Sequence, residues 1–271
     1  MINDNPFLYD DATPLVLVAV LGSLRLLLGG APLGIPRDSK SEGLLISLAL
    51  AKQHGLPRIE LLERLWPDYN LTLAGQSLNS LTYQLNKRVA DALNGAGLII
   101  HDNGYYCLNT QAGVGVDLDY FYAWYEAGKH SLRQGDSASA TAFYQKALVL
   151  YKNDLCGDSN IQTVMERERL RIAFLDLLAY LADYSYNQND YEQALFYIQR
   201  LLWHEPCRED AHRQAMCCYL RLNQRTQALR QYRLCCQALN SEFDAQPEPA
   251  TVALYDQIRL NPASLWPHPS L

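Results

Sequence analysis

The alternation of apolar and polar positions divides the chain into a short mixed segment followed by a long helical one. Leu15–Val20 and Leu24–Leu28 are short apolar runs around Gly22–Ser23, the signature of two strands joined by a turn. "GGAPLGIP" adds turn residues and a third short strand. From Ser39 the period changes to that of a helix, with Leu44, Leu45, Leu48 and Ala49 recurring on one side, and the pattern runs to about His54. Ser39 can cap it, with Glu42 at the capping-box position. Pro57 starts a shorter helix through Ile59, Leu62 and Leu65, which "WPDYN" interrupts. Residues 74–93 then form an amphipathic helix with an apolar stripe at Leu78, Leu81, Leu85, Val89 and Leu93. In "LIIHDNGYYCLN" two apolar strands flank Asn103–Gly104, a tight-hairpin signal because both turn residues tolerate positive φ. Strands, two helices, a connection, a third helix and a hairpin make the order of a winged helix-turn-helix. In such domains the last helix enters the major groove and the wing touches the adjacent backbone.

From "VDLDYF" onward the pattern is helical and repetitive. "LRQGDSASATAFYQKAL", "YNQNDYEQALFYIQRLL" and "RLNQRTQALRQYRLCCQAL" superimpose, each with a polar turn, then Ala140, Ala194 or Ala228, then Tyr144, Ile198 or Tyr232 four residues later. The last two units lie one tetratricopeptide period apart, and the wider first gap calls for an inserted or lengthened helix near residues 160–180. The expected fold is mainly α with a small β component. It comprises a tail at 1–13, a winged helix at 14–115, a tetratricopeptide-like helical domain at 116–260 and a Pro-rich tail at 261–271.

Composition sharpens this reading by exclusion. The chain has 271 residues, 49% hydrophobic and 19% charged, which supports folded domains. The net charge of −6 argues against a protein coated uniformly for polyanions, yet permits a local basic footprint. The stretch "LVLVAVLGSLRLLLGG" is interrupted by Gly22, Ser23 and Arg25 and falls short of a membrane span. The seven cysteines include no C-x-x-C pair and fit reduced thiols of a cytoplasmic protein. His204, Cys207 and His212 form one loose group without a fourth ligand, so neither metal nor cofactor is expected. The six histidines have no nucleophile at informative spacing, and no G-x-x-x-x-G-K-[ST] motif is present, so no enzyme is expected.

The motifs carry a resemblance. "LLERLWPDYNLTLAGQSLNSLTYQLNKRV", with its L-W-P-D, its Ala74-x-x-Ser77-Leu78 run and its Leu81/Leu85 ladder, resembles the helix-turn-helix of the Streptomyces antibiotic regulatory protein type of activators. "NGYYCLN" looks like that family's wing and "VDLDYF" like its interdomain junction. The stretch from "CREDAHRQ" to "ALYDQI" is similar to the second half of the bacterial transcriptional activation domain. The resemblance covers most of residues 15–260. It implies an OmpR-like winged helix, binding to promoter DNA, often at direct repeats bound by a homodimer, and contact with RNA polymerase. Larger members add ATPase and sensor domains, so a chain ending soon after Ile258 would be a short stand-alone version.

The helix of residues 74–93 turns Gln76, Asn79, Ser80, Tyr83, Gln84 and Lys87 away from its apolar stripe. Asn and Gln can pair with adenine and Lys can reach guanine, so these six are the base-contacting candidates. Arg88, Arg58, Arg64, Lys40, Asn103 and Tyr105 are the phosphate-contacting candidates. Family recognition helices usually carry several arginines, whereas this one reads "YQLNKRV", which implies few phosphate contacts. The alternative is a protein-interaction scaffold in which a degenerate winged helix docks protein rather than DNA.

Overall fold

The computed structural model describes residues 14–34, 39–68, 70–157 and 160–260. The two tails expected at 1–13 and 261–271, and the side chain of the expected Ser39 cap, lie outside the described residues. The chain divides into two compact units, residues 1–171 and 172–271.

In the first unit, β1 (Val16–Ala19), β2 (Arg25–Leu28), β3 (Ala31–Leu33) and β7 (Val114–Val116) form a sheet in the order β3-β2-β1-β7. β1 pairs antiparallel with β2 and parallel with β7. Every residue of β1 is buried, which explains its unbroken apolar run. Next come α1 (Ser39–Ala51), β4 (Leu56–Pro57), α2 (Arg58–Leu65) and α3 (Leu71–Val89). α1 ends at Ala51, and a 3₁₀ turn carries the chain on to the expected end at His54. β5 (Ile99–Asp102) and β6 (Tyr105–Leu108) form the hairpin, in a second sheet of order β4-β6-β5. The turn residues Asn103 and Gly104 have φ of 50° and 85°, as the sequence required.

The third helix spans 71–89 rather than 74–93. Asn70 accepts from the Thr72 backbone N–H at 2.8 Å and starts the helix three residues early. Asn94 and Gly95, both at positive φ, turn the chain after it. Leu78, Leu85, Val89 and Leu93 are all buried. Each such side chain contributes about 1.5–3 kcal/mol on leaving water, which fixes the face that α3 turns inward.

The first unit also holds α4 (Asp117–Arg133) and α5 (Ser137–Leu150). Gly128 lets them approach, since a Cβ there would lie 2.3 Å from Cε1 of Tyr144. The loop after α5 returns to the sheet: the Cys156 N–H donates to Val20 O at 2.9 Å and the Gly22 N–H to Asp154 O at 3.0 Å. At the start of α4, the Asp117 carboxylate accepts the backbone N–H groups of Val20 at 2.8 Å and Leu21 at 3.0 Å. Burial pushes its pKa up to about 6, against the pull of those N–H groups and of Arg25.

α6 (Ile161–Asn187) is the lengthened helix that the wide repeat gap required. The second unit continues with α7 (Tyr191–His204), α8 (Glu209–Arg221), α9 (Arg225–Phe243) and α10 (Pro249–Leu260). The repeat is visible in its turns. After α4, α6 and α8 stand Gly135, Asn189 and Asn223 at φ of 80°, 62° and 59°. In each, the next residue donates back across the turn: Asp136 to Ser131, Asp190 to Ser185 and Gln224 to Tyr219. Asp136 and Asp190 then cap the following helix, whereas Gln224 makes no side-chain cap. Ala140, Ala194 and Ala228 are fully buried, so paired helices meet where side chains are smallest. α10 is held at both ends. Glu209 accepts from the Glu248 N–H at 2.9 Å and from the Thr251 hydroxyl at 2.6 Å, and Arg225 donates to Ile258 O at 3.0 Å and Arg259 O at 3.1 Å. An acid at the N-terminus and a base at the C-terminus complement the helix dipole.

Candidate nucleic-acid interface

The burial of its apolar stripe leaves α3 with one continuous polar face. Gln76, Asn79, Ser80, Tyr83, Gln84 and Lys87 are all exposed and fall on successive turns, so the fold brings the six base-contacting candidates together. Gln84 donates to the Ser80 hydroxyl at 3.4 Å. Asn103 and Tyr105 are exposed at and beside the wing turn, where Asn103 donates to the Asp102 carboxylate at 3.1 Å.

The basic candidates separate into two groups. Arg88 is exposed at the C-terminal end of α3 and donates to Gly34 O at 2.7 Å. Arg64 pairs with Glu60 at 2.6 Å and donates to Gln162 at 2.8 Å, lining a cleft of about 510 Å³. Lys40 donates to Leu65 O and lies 5.7 Å from the Trp66 ring. Arg58 turns inward: its Nη1 donates to Asn79 Oδ1 at 2.9 Å and to the Tyr106 hydroxyl at 2.6 Å, and its Nη2 to Gly75 O at 3.0 Å. Lys87 and Arg88 are the two basic residues of α3 itself, both exposed. Both stand in the last turn, so the rest of the face carries no charge.

Two positioning residues escaped the sequence reading. Asn86 donates to Ile99 O at 2.9 Å and accepts the Ile99 N–H at 2.8 Å, a two-point clamp between α3 and β5. Tyr106 joins Arg58 from the wing and stacks on His101 at 4.3 Å. Gly75 was an available signal, because a glycine inside a helix is unfavourable unless something approaches closely. A Cβ there would lie 2.7 Å from Arg58 Nη2.

Among the described residues no group of three or more His, Cys, Asp or Glu is placed to hold a metal. His212 instead donates from Nε2 to Pro206 O at 2.8 Å and accepts at Nδ1 from Gln231 at 2.7 Å, and burial pushes its pKa down, keeping it neutral. No helix among the described residues is long and apolar enough to cross a membrane.

The chain thus has a winged-helix arrangement of elements followed by tetratricopeptide-like helical hairpins. Residues 116–259 match the bacterial transcriptional activator domain, and the chain belongs to that family. The family is one of transcriptional regulators, not an enzyme class, and it agrees with the resemblance to the Streptomyces antibiotic regulatory protein type. Among solved structures, the chain is similar to Mycobacterium tuberculosis EmbR in complex with a low-affinity phosphopeptide. The TM-score is 0.62 at 19% identity, over 91% of this chain and 65% of that one. The likeness is one of fold. No curated protein matches the chain.

Proposed function

We propose that the protein is a transcriptional activator that reads promoter DNA with the exposed face of α3 in the major groove and the wing on the adjacent backbone. The observation that carries this reading is the row of six polar side chains on α3, held against the wing by Asn86 and Arg58. It divides the chain's labour at 14–115 for DNA and 116–260 for protein contact, with RNA polymerase as the partner of the helical domain. Such work places the protein in the cytoplasm.

Lys87 and Arg88 are the exposed cations of α3, and phosphate neutralisation by this helix falls to them, with Arg88 leaving its bond to Gly34 O. Each neutralised phosphate contributes about −0.9 to the log–log salt slope, so one protomer binds with a shallow slope and modest affinity. Occupancy then rests on two protomers on direct repeats, whose linked binding raises avidity. The test is binding to promoter fragments and random duplex across a salt series. Lys87→Ala with Arg88→Ala should weaken binding to every sequence and flatten the slope by roughly 2. Equal affinity for promoter and random DNA would refute sequence-specific reading.

A second reading rests on Leu71 and Leu73, two exposed apolar side chains in the first turn of α3. They suit docking of a protein on a winged helix that has left DNA. Retained promoter binding by Leu71→Ser with Leu73→Ser would count against it.

A further inference from the structure

The polar face of α3 is not uniformly free, and one of its side chains is held in a single orientation. Asn79 Oδ1 receives Arg58 Nη1 at 2.9 Å and the Tyr106 hydroxyl at 3.4 Å. A carboxamide oxygen has two lone pairs, so both are used. Turning the amide over would set its NH₂ against the Arg58 guanidinium, which can only donate. Among the described residues, the Asn79 nitrogen has no partner and stays available to a ligand.

The holders are themselves fixed. Tyr106 is 2% exposed, stacks on His101, and sits in β6 opposite Leu56 of β4. Its hydroxyl accepts from Arg58 at 2.6 Å and donates to Asn79 Oδ1 at 3.4 Å, so donor and acceptor roles close. Arg58 is anchored from the other side by Gly75 O at 3.0 Å, in space that exists because residue 75 has no Cβ. α2, α3 and the wing thus converge on one amide.

We propose that Arg58 and Tyr106 lock Asn79 as a donor-only reader that selects guanine over adenine at its base step. The proposal rests on the DNA-reading function above. Bidentate pairing with adenine needs one donor and one acceptor from the amide, to meet N7 and N6–H₂. The acceptor is spent inside the protein. Guanine offers two acceptors, O6 and N7, which match the two N–H groups that Asn79 retains. Adenine would bring its own N6–H₂ against an N–H donor. The discrimination expected from one such contact is on the order of tenfold. The sequence alone allows Asn79 to read adenine; the fold removes that option and leaves it to Gln76, which no residue holds among those described.

The test is selection of bound sequences from a random duplex library by the full chain. Wild type should enrich guanine at one step. Asn79→Asp keeps the Arg58 partner and turns an acceptor outward, so that step should switch to cytosine, whose N4–H₂ donates. Arg58→Met releases the amide, and the step should admit adenine as well as guanine. Tyr106→Phe weakens the lock more gently and should broaden the step in the same direction if Arg58→Met proves too unstable to select with. Enrichment of adenine by wild type at the step that responds to Asn79→Asp would overturn the lock, as would a specificity unchanged at every step by Asn79→Asp. No enrichment of any sequence by wild type would instead overturn the DNA-reading function, and the lock with it.

Discussion

Asp117 ties the end of β1 to the start of α4, and its ionisation should be legible in the stability of the first unit. Its side chain belongs to a residue 2% exposed, and burial raises the pKa from 3.8 to about 6. At about 1.4 kcal/mol per tenfold, that difference corresponds to about 3 kcal/mol. The folded chain holds this proton more tightly than the unfolded chain. The stabilisation is therefore complete below about pH 3.8 and is lost as pH rises through about 6. The perturbation is Asp117→Asn, which cannot titrate. Urea unfolding of both proteins between pH 4 and 7 can be followed through Trp66 and Trp124, both buried in the first unit; Trp203, 84% exposed, contributes little to the signal change. The difference in stability between wild type and Asp117→Asn isolates the one group, because other titrations cancel. Wild type should lose about 2 kcal/mol of that stabilisation relative to the variant as pH rises from 4 to 7, the rest having gone below pH 4, where the unfolded carboxyl is already partly ionised. A pH-independent offset is expected as well, since an amide accepts less well than a carboxylate from the Val20 and Leu21 N–H groups. A difference that is flat with pH, within extrapolation error, would refute a raised pKa at this position.

Other substitutions test the packing and the clamps. Gly128→Ala should destabilise the first unit by about 1–3 kcal/mol in urea unfolding, because its Cβ would overlap the Tyr144 ring. Asn86→Ala removes both hydrogen bonds between α3 and β5 and should cost about 1–3 kcal/mol, with faster hydrogen exchange at Ile99. Arg225→Ala should release the C-terminal end of α10 and speed its proteolysis at Leu260, while leaving the unfolding of the first unit unchanged.

The elements of this fold were largely legible in the chain. The two periods, one for strands and one for helices, are local properties of side-chain direction, and local pattern is what sequence displays. The Asn103–Gly104 hairpin and the recurring turn before Ala140, Ala194 and Ala228 follow from residues that tolerate positive φ or cap a helix, again local chemistry. Boundaries were less legible. α3 starts at Leu71 because Asn70 reaches the Thr72 N–H, a contact the apolar stripe does not record.

For the candidate site, sequence determined which face of α3 is polar, because burying Leu78, Leu85 and Val89 leaves no other arrangement. It did not determine what each polar side chain can offer a ligand. Arg58 reads in sequence as a phosphate contact and Asn79 as a free amide, yet 21 residues apart they bond each other, with Tyr106 joining from the wing. Hydrogen-bonding capacity is finite, and a donor or acceptor used inside the protein is unavailable outside it. That account is settled by groups brought together from distant parts of the chain, so only the tertiary structure decided it.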